Sequence, residues 1–146
     1  MWCHRYNRAT TAQRTGCTPQ LPGAPMQADD FDTIIDATIA ALPPHIRRHL
    51  DRVTFQVAVK PSREQRRSLR LRPWETIYGL YEGVPLTERA GADVVMPDVI
   101  TIFRRPLERD FPDPIERREQ IRQTVLHELA HYFGIDDDRL IELDAY

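Results

Sequence analysis

Cysteine is nearly missing from this chain of 146 residues. Only Cys3 and Cys17 are present, both in the first 17 positions. With none left for the rest of the chain, disulfides cannot be what holds the fold, and a cytoplasmic address is expected. Long apolar runs are missing too. Nothing approaches the roughly 18 consecutive apolar residues that span a bilayer, so no membrane partner is expected. Arg5, Arg8 and Arg14 lead into no apolar stretch, and the pattern of a secretory signal is therefore lacking. Nor is one charge sign in clear excess. Lys and Arg number 20 against 22 Asp and Glu, a net charge of −2, which gives no global electrostatic argument for a nucleic-acid or membrane surface. The length suits one domain with a real core.

Periodicity is absent from residues 1–28, which are rich in Thr, Gln, Gly and Pro (Pro19, Pro22, Gly23, Pro25). A disordered tail is expected there. Met26 reads as the true translation start, because coherent patterning begins just after it, and the domain is then 29–146. Cys3, His4 and Cys17 read as a chance trio rather than a ligand set.

From Asp29 the patterns are clear. Asp29 or Asp30 can cap a helix with Phe31, Ile34, Ile35, Thr38, Ile39 and Leu42 on one face, ended by Pro43 and Pro44. His45 to Leu50 suits a short helical turn. Val53 to Val59 alternates strictly, with Val53, Phe55, Val57 and Val59 on one side, and reads as a half-buried strand. Lys60 to Pro73 carries Arg63, Arg66, Arg67, Arg70 and Arg72. It reads as a solvated loop rather than a phosphate patch, since no aromatic residue interleaves, and nucleic acid is not an expected partner. Trp74 to Glu82 reads as short extended structure punctuated by Gly79 and Gly83. A second strand, Val99 to Arg104, closed by Pro106, is expected to pair antiparallel with the first.

The last long helix has a clear start. Asp113 is the N-cap, Pro114 suits the first helical position and Glu116 completes a capping-box pattern. Ile121, Val125 and Leu129, with Ile115, Leu126 and Phe133 on adjoining rows, predict a central buried helix. Arg139 to Leu143 predicts a short C-terminal helix after it. The fold class is α+β.

That buried helix carries His127-Glu128-Leu129-Ala130-His131-Tyr132-Phe133-Gly134-Ile135-Asp136-Asp137, which reads H-E-x-x-H-x-x-G-x-x-D. Two histidines four apart project from one face, so their ring nitrogens can converge on one ion. Glu128 lies beside that face, where a carboxylate can take a proton from a metal-bound water. Gly134 can stop the helix in a left-handed conformation and let the chain double back with a third ligand. Asp137 is the leading candidate; Asp136, Asp138 and Glu142 compete. Two imidazoles and a carboxylate suit Zn²⁺ with an open fourth position. They also suit the facial triad of non-haem Fe(II). Glu128 favours zinc, because hydrolysis needs a base beside the metal water and oxygen activation does not. The plain alternative is a pair of core histidines bonded to backbone or carboxylates.

The extended motif resembles the zincin metallopeptidases, with Asp in place of the third His of the metzincins, as in snapalysin-type enzymes. More closely, Leu80 to Arg89, Ile100 to Arg104 and Thr124 to Leu140 together resemble the small bacterial "minimal" zincin metallopeptidases. The resemblance implies a zincin-like fold, a small antiparallel or mixed sheet packed on an active-site helix. It implies zinc held by His127, His131 and Asp137, and Glu128 as general base. The expected function is peptide-bond hydrolysis on a peptide or protein substrate. Val99 to Phe103, if at the sheet edge, could align an extended peptide, and Tyr132 and Tyr146 are candidates for the oxyanion. No methionine lies between Asp137 and Tyr146, so the Met-turn of the metzincins is not matched. That departure favours the alternative, a metal-stabilised interaction module without peptidase activity. No oligomeric state follows from the sequence.

Overall fold

β5, Asp98–Phe103, is the strand the other elements are laid against. In this computed structural model the described residues are 5–6, 28–89 and 97–142. β2, Val53–Ala58, runs parallel to β5, with Val53 opposite Asp98 and Ala58 opposite Phe103. β4, Gly79–Glu82, runs antiparallel along its other side, from Gly79 opposite Ile102 to Glu82 opposite Val99. The three-stranded sheet is thus mixed, in the order β2-β5-β4. The expected antiparallel pairing of the two long strands is not what forms. They are too far apart in sequence for a hairpin, and a long crossover lets them run side by side in the same direction. Being central, β5 is buried along nearly its whole length, and its two polar residues, Asp98 and Thr101, are buried with hydrogen-bond partners among its apolar ones. β2, at an edge, keeps Thr54 and Gln56 exposed between half-buried Val53, Phe55 and Val57.

Two helices close one side of the sheet. α1, Ala28–Ala40, packs against α5, Pro114–Tyr132, and α5 lies across β4 and β5. Phe31, Ile34 and Ile35 of α1 join Tyr81, Ile100 and Ile102 of the sheet and Ile121, Val125, Leu129 and Tyr132 of α5 in the main core. Leu69, Ile77, Leu80 and Phe103 form a smaller second cluster. α1 begins at Ala28, one residue before the earlier of the two acids expected to cap it, so Asp30 lies within its first turn.

α5 starts as its sequence demands: the Asp113 side chain accepts from the Ile115 and Glu116 amides, and Pro114 takes the first turn. The buried stripe is not quite the expected one. Ile121 and Val125 are fully buried, but Ile115 is 81% exposed. In that first turn Arg117 points inward instead, donating to the carbonyls of Phe111 and Pro112.

Smaller elements correct the sequence reading in two places. The arginine-rich stretch is not a loop: α3, Arg63–Ser68, is started by a capping box between Ser62 and Gln65. Its S-x-x-Q signature was masked by the density of arginine. Pro106 does not close β5; it sits in the first turn of α4, Arg104–Asp110, where a missing N–H costs nothing. The remaining pieces are α2, Pro44–Arg47, the strand β3, Thr76–Ile77, and α6, Asp137–Glu142, which opens two residues earlier than expected. Of residues 1–28, Arg5–Tyr6 form β1, which pairs antiparallel with β3. Cys3, His4, Cys17 and Met26 lie outside the described residues. Among the described residues no helix is long and apolar enough to cross a membrane.

The core assignment makes a paired prediction. Ile121→Ala should lower unfolding free energy by about 2–5 kcal/mol, whereas Ile115→Ala should stay within about 0.5 kcal/mol of wild type. Urea denaturation of the two variants distinguishes them, and equal losses would contradict the packing described.

Candidate metal centre

The end of α5 is built as a stop. Gly134, with φ +82°, donates its N–H to the His131 carbonyl, and Ile135 donates to that of Ala130, both at 2.9 Å. These two bonds are the Schellman pattern, which needs a residue tolerant of positive φ at the position of Gly134. The turn carries the chain back past the helix face holding the two histidines. Asp136 then caps α6 by accepting the Arg139 N–H at 2.8 Å, and Asp137 opens it.

The turn brings three side chains together. The Nε2 atoms of His127 and His131 are 2.9 Å apart, and Asp137 Oδ1 lies 3.1 Å from the first and 3.4 Å from the second. Of the other acidic candidates, Asp136 is engaged as the α6 cap, Asp138 is exposed, and the Glu142 side chain lies outside the described residues. His127 and His131 are both buried, at 7% and 1% exposure.

Proton positions decide what this cluster can do. His131 Nδ1 is 2.9 Å from the Ile135 carbonyl oxygen, an acceptor with no proton of its own. The imidazole proton therefore sits on Nδ1, and Nε2 presents a lone pair. Burial pushes the pKa of His131 below its usual value, against the opposing pull of the Asp137 charge and the Ile135 carbonyl, so the neutral ring is favoured. Asp137 Oδ1 is itself buried and accepts no hydrogen bond. That lone pair, the Nε2 of His127 and the Asp137 oxygen face a common point, which is the arrangement a cation needs. The three spacings, 2.9, 3.1 and 3.4 Å, lie at or a little below the edge of a tetrahedron around zinc, about 3.3 Å for ligand bonds of about 2.0–2.1 Å. His127, His131 and Asp137 could together hold a metal ion.

A family model for zincin-like metallopeptidases matches residues 50–146. The chain belongs to the zincin-like metallopeptidase family. No curated protein matches it. Membership brings an expectation of zinc, and the donor set fits: two imidazoles and a carboxylate, with room in the tetrahedron for one more ligand. The match includes the whole sheet and α5 and leaves out α1, which supplies Phe31, Ile34 and Ile35 to the core.

Glu128, next to His127 in the zincin motif, is fully buried. It lies against β4 at Gly79. A Cβ built there would stand 2.7 Å from Glu128 Oε1 and 2.8 Å from its Cγ, with Thr124 Cγ2 also at 2.7 Å. Gly79 therefore clears space for the motif carboxylate, a role hidden when it reads only as punctuation. The available signal was a glycine inside a strand, which marks a close approach of another group. Tyr132 does not serve the site as expected. Its hydroxyl donates to the His49 carbonyl at 2.6 Å and its ring is buried in the core. Tyr146 lies outside the described residues.

Gly79→Ala should destabilise the protein by about 1–3 kcal/mol through overpacking against Glu128 and Thr124. Chemical denaturation measures this, and unchanged stability would contradict the contact.

Proposed function

We propose that this protein is a zinc-dependent peptidase that hydrolyses peptide or protein substrates. One observation supports this above the others. Three acceptor atoms converge at the spacing of zinc ligands, and the next residue after the first ligand is a buried carboxylate. Zinc bound there supplies Lewis acidity, which lowers the pKa of a water and polarises the scissile carbonyl.

The rest of the chemistry falls to the chain. Glu128 accepts a proton from the attacking water as its oxygen bonds to the carbonyl carbon. The same carboxyl then gives that proton to the amine nitrogen as the C–N bond breaks, leaving one acid and one amine product. The Ile135 carbonyl keeps the proton of His131 on Nδ1 and so keeps Nε2 available as a ligand.

Substrate alignment has to differ from the sequence expectation. β5 has a partner strand on each side, so it has no edge to offer. β4, against which Glu128 lies, has no strand on its outer side among the described residues. An extended peptide adding to that edge would run beside the proposed base. A cytoplasmic location belongs to the same proposal and rests on cysteine use.

The second reading is a metal-stabilised interaction module without turnover. The full burial of Glu128 favours it, because a base must reach the water it activates. The two readings separate in one experiment. With zinc content held equal, Glu128→Gln should lower kcat/KM on a quenched-fluorescent peptide library by at least about 10²-fold. Equal turnover in the two proteins would overturn the peptidase mechanism. No turnover in either, with zinc bound and thermal stability lost on chelation, would establish the module.

A further inference from the structure

Asp137 is the only one of the three converging side chains that α5 does not carry. Its position depends on the short turn through Gly134, and its side chain is 44% exposed. Something outside the turn must keep it in place if the cluster is to hold its spacing. A neighbouring loop lies against that turn.

Gly134 has no room for a side chain. The Oγ1, Cβ and Cγ2 atoms of Thr87 all lie within 2.9 Å of where a Cβ would stand, so Thr87 is seated directly on the turn. Thr87 belongs to a single 3₁₀ turn, Leu86–Glu88, and such a short piece has little stability of its own. Arg89, immediately after it, supplies the anchor. Its Nε donates to the Val84 carbonyl at 2.8 Å, closing the loop on itself, and its Nη2 donates to Asp98 Oδ1 at 2.6 Å. Its guanidinium also stacks over the ring of Tyr132, the last residue of α5, at 5.3 Å.

Asp98 is a suitable post for this anchor. It is 3% exposed at the start of the central strand and also accepts the Tyr81 hydroxyl at 2.7 Å. Burial, then the hydrogen bond and charge of Asp98, push the Tyr81 pKa above its usual range, so the hydroxyl stays a donor. A Cβ at Gly83 would collide with Asp98 Oδ1 and the Tyr81 hydroxyl, so the chain can pass this cluster only as glycine. The loop is thus tied to the sheet at one end and pressed on the turn at the other.

We propose that Thr87 and Arg89 are positioning residues for the third ligand: the loop 84–89, anchored on Asp98, sets the Gly134 turn and through it the placement of Asp137 against His127 and His131. The inference rests on the reading of that cluster as a metal site. It also gives the stretch Gly79-Leu80-Tyr81-Glu82-Gly83-Val84-Pro85-Leu86-Thr87-Glu88-Arg89 a common relation to the motif. Gly79 clears Glu128, Gly83 clears Asp98, Thr87 seats Gly134, and Arg89 ties the loop to Asp98 and Tyr132.

The test is cobalt(II) titration of the metal-free full chain, followed by its visible d–d absorption. Thr87 is exposed, so its variants are expected to fold. Thr87→Ala should weaken cobalt binding about tenfold, as loss of support behind a ligand does, and shift the spectrum toward that of Asp137→Ala. Thr87→Val, which restores the branched shape, should stay near wild type. In the Asp137→Ala background, Thr87→Ala should have no further effect, because the ligand it positions is gone. Equal loss in both backgrounds, or none in either, would overturn the proposal while leaving the metal site standing. Cobalt binding in wild type no tighter than in His127→Ala would remove the metal site and this inference with it.

Discussion

One hydrogen bond fixes the chemistry of the cluster, the bond from His131 Nδ1 to the carbonyl of Ile135. It joins the helix to the turn that leaves it, so it acts on shape and on protonation together. On shape, it holds the returning chain beneath the histidine pair, beside the two backbone bonds that Gly134 and Ile135 make to α5. On protonation, it places the imidazole proton away from Asp137 and leaves a lone pair facing a carboxylate. That is the protonation a metal ligand needs, and it is set by the backbone before any ion arrives.

Keeping so many polar groups on a buried helix face needs support from the sheet. α5 buries Glu128, His127, His131 and Thr124 along with its apolar residues, a cost that polar partners such as the Gln120 carbonyl for Thr124 and the Ile135 carbonyl for His131 reduce. Gly79 in β4 accommodates the Glu128 side chain by having none of its own. Behind it, the Asp98 carboxylate is shared between Tyr81 and Arg89, so the one deeply buried acid of β5 is paired and hydrogen-bonded. A pair of this kind adds little net stability, but removal of either partner leaves an uncompensated charge, which holds the loop in one position.

The sequence made some of this legible and hid the rest for identifiable reasons. α5, its Asp113 cap, its Gly134 stop and the face shared by His127 and His131 follow from local rules that need only a few neighbouring residues. β2 and β5 were visible by alternation and by apolar run, but their relative direction was not, since pairing depends on how a long connection crosses the sheet. α3 was hidden because it buries none of its residues, so it has no apolar stripe and only the Ser62–Gln65 cap marks it. The roles of Gly79, Thr87 and Arg89 are contacts between segments distant in sequence, and no periodicity reports those. A glycine gives notice that something approaches closely, but not what it is.

The central claim is a metal centre made by two imidazoles and the carboxylate of Asp137. X-ray absorption at the zinc edge of the zinc-loaded full chain tests it most directly. The expected result is a first shell of nitrogen and oxygen at about 2.0–2.1 Å, with the outer scattering of two imidazole rings that Asp137→Ala leaves in place while losing one oxygen. A shell containing sulfur at about 2.3 Å, or a spectrum without imidazole scattering, would contradict it.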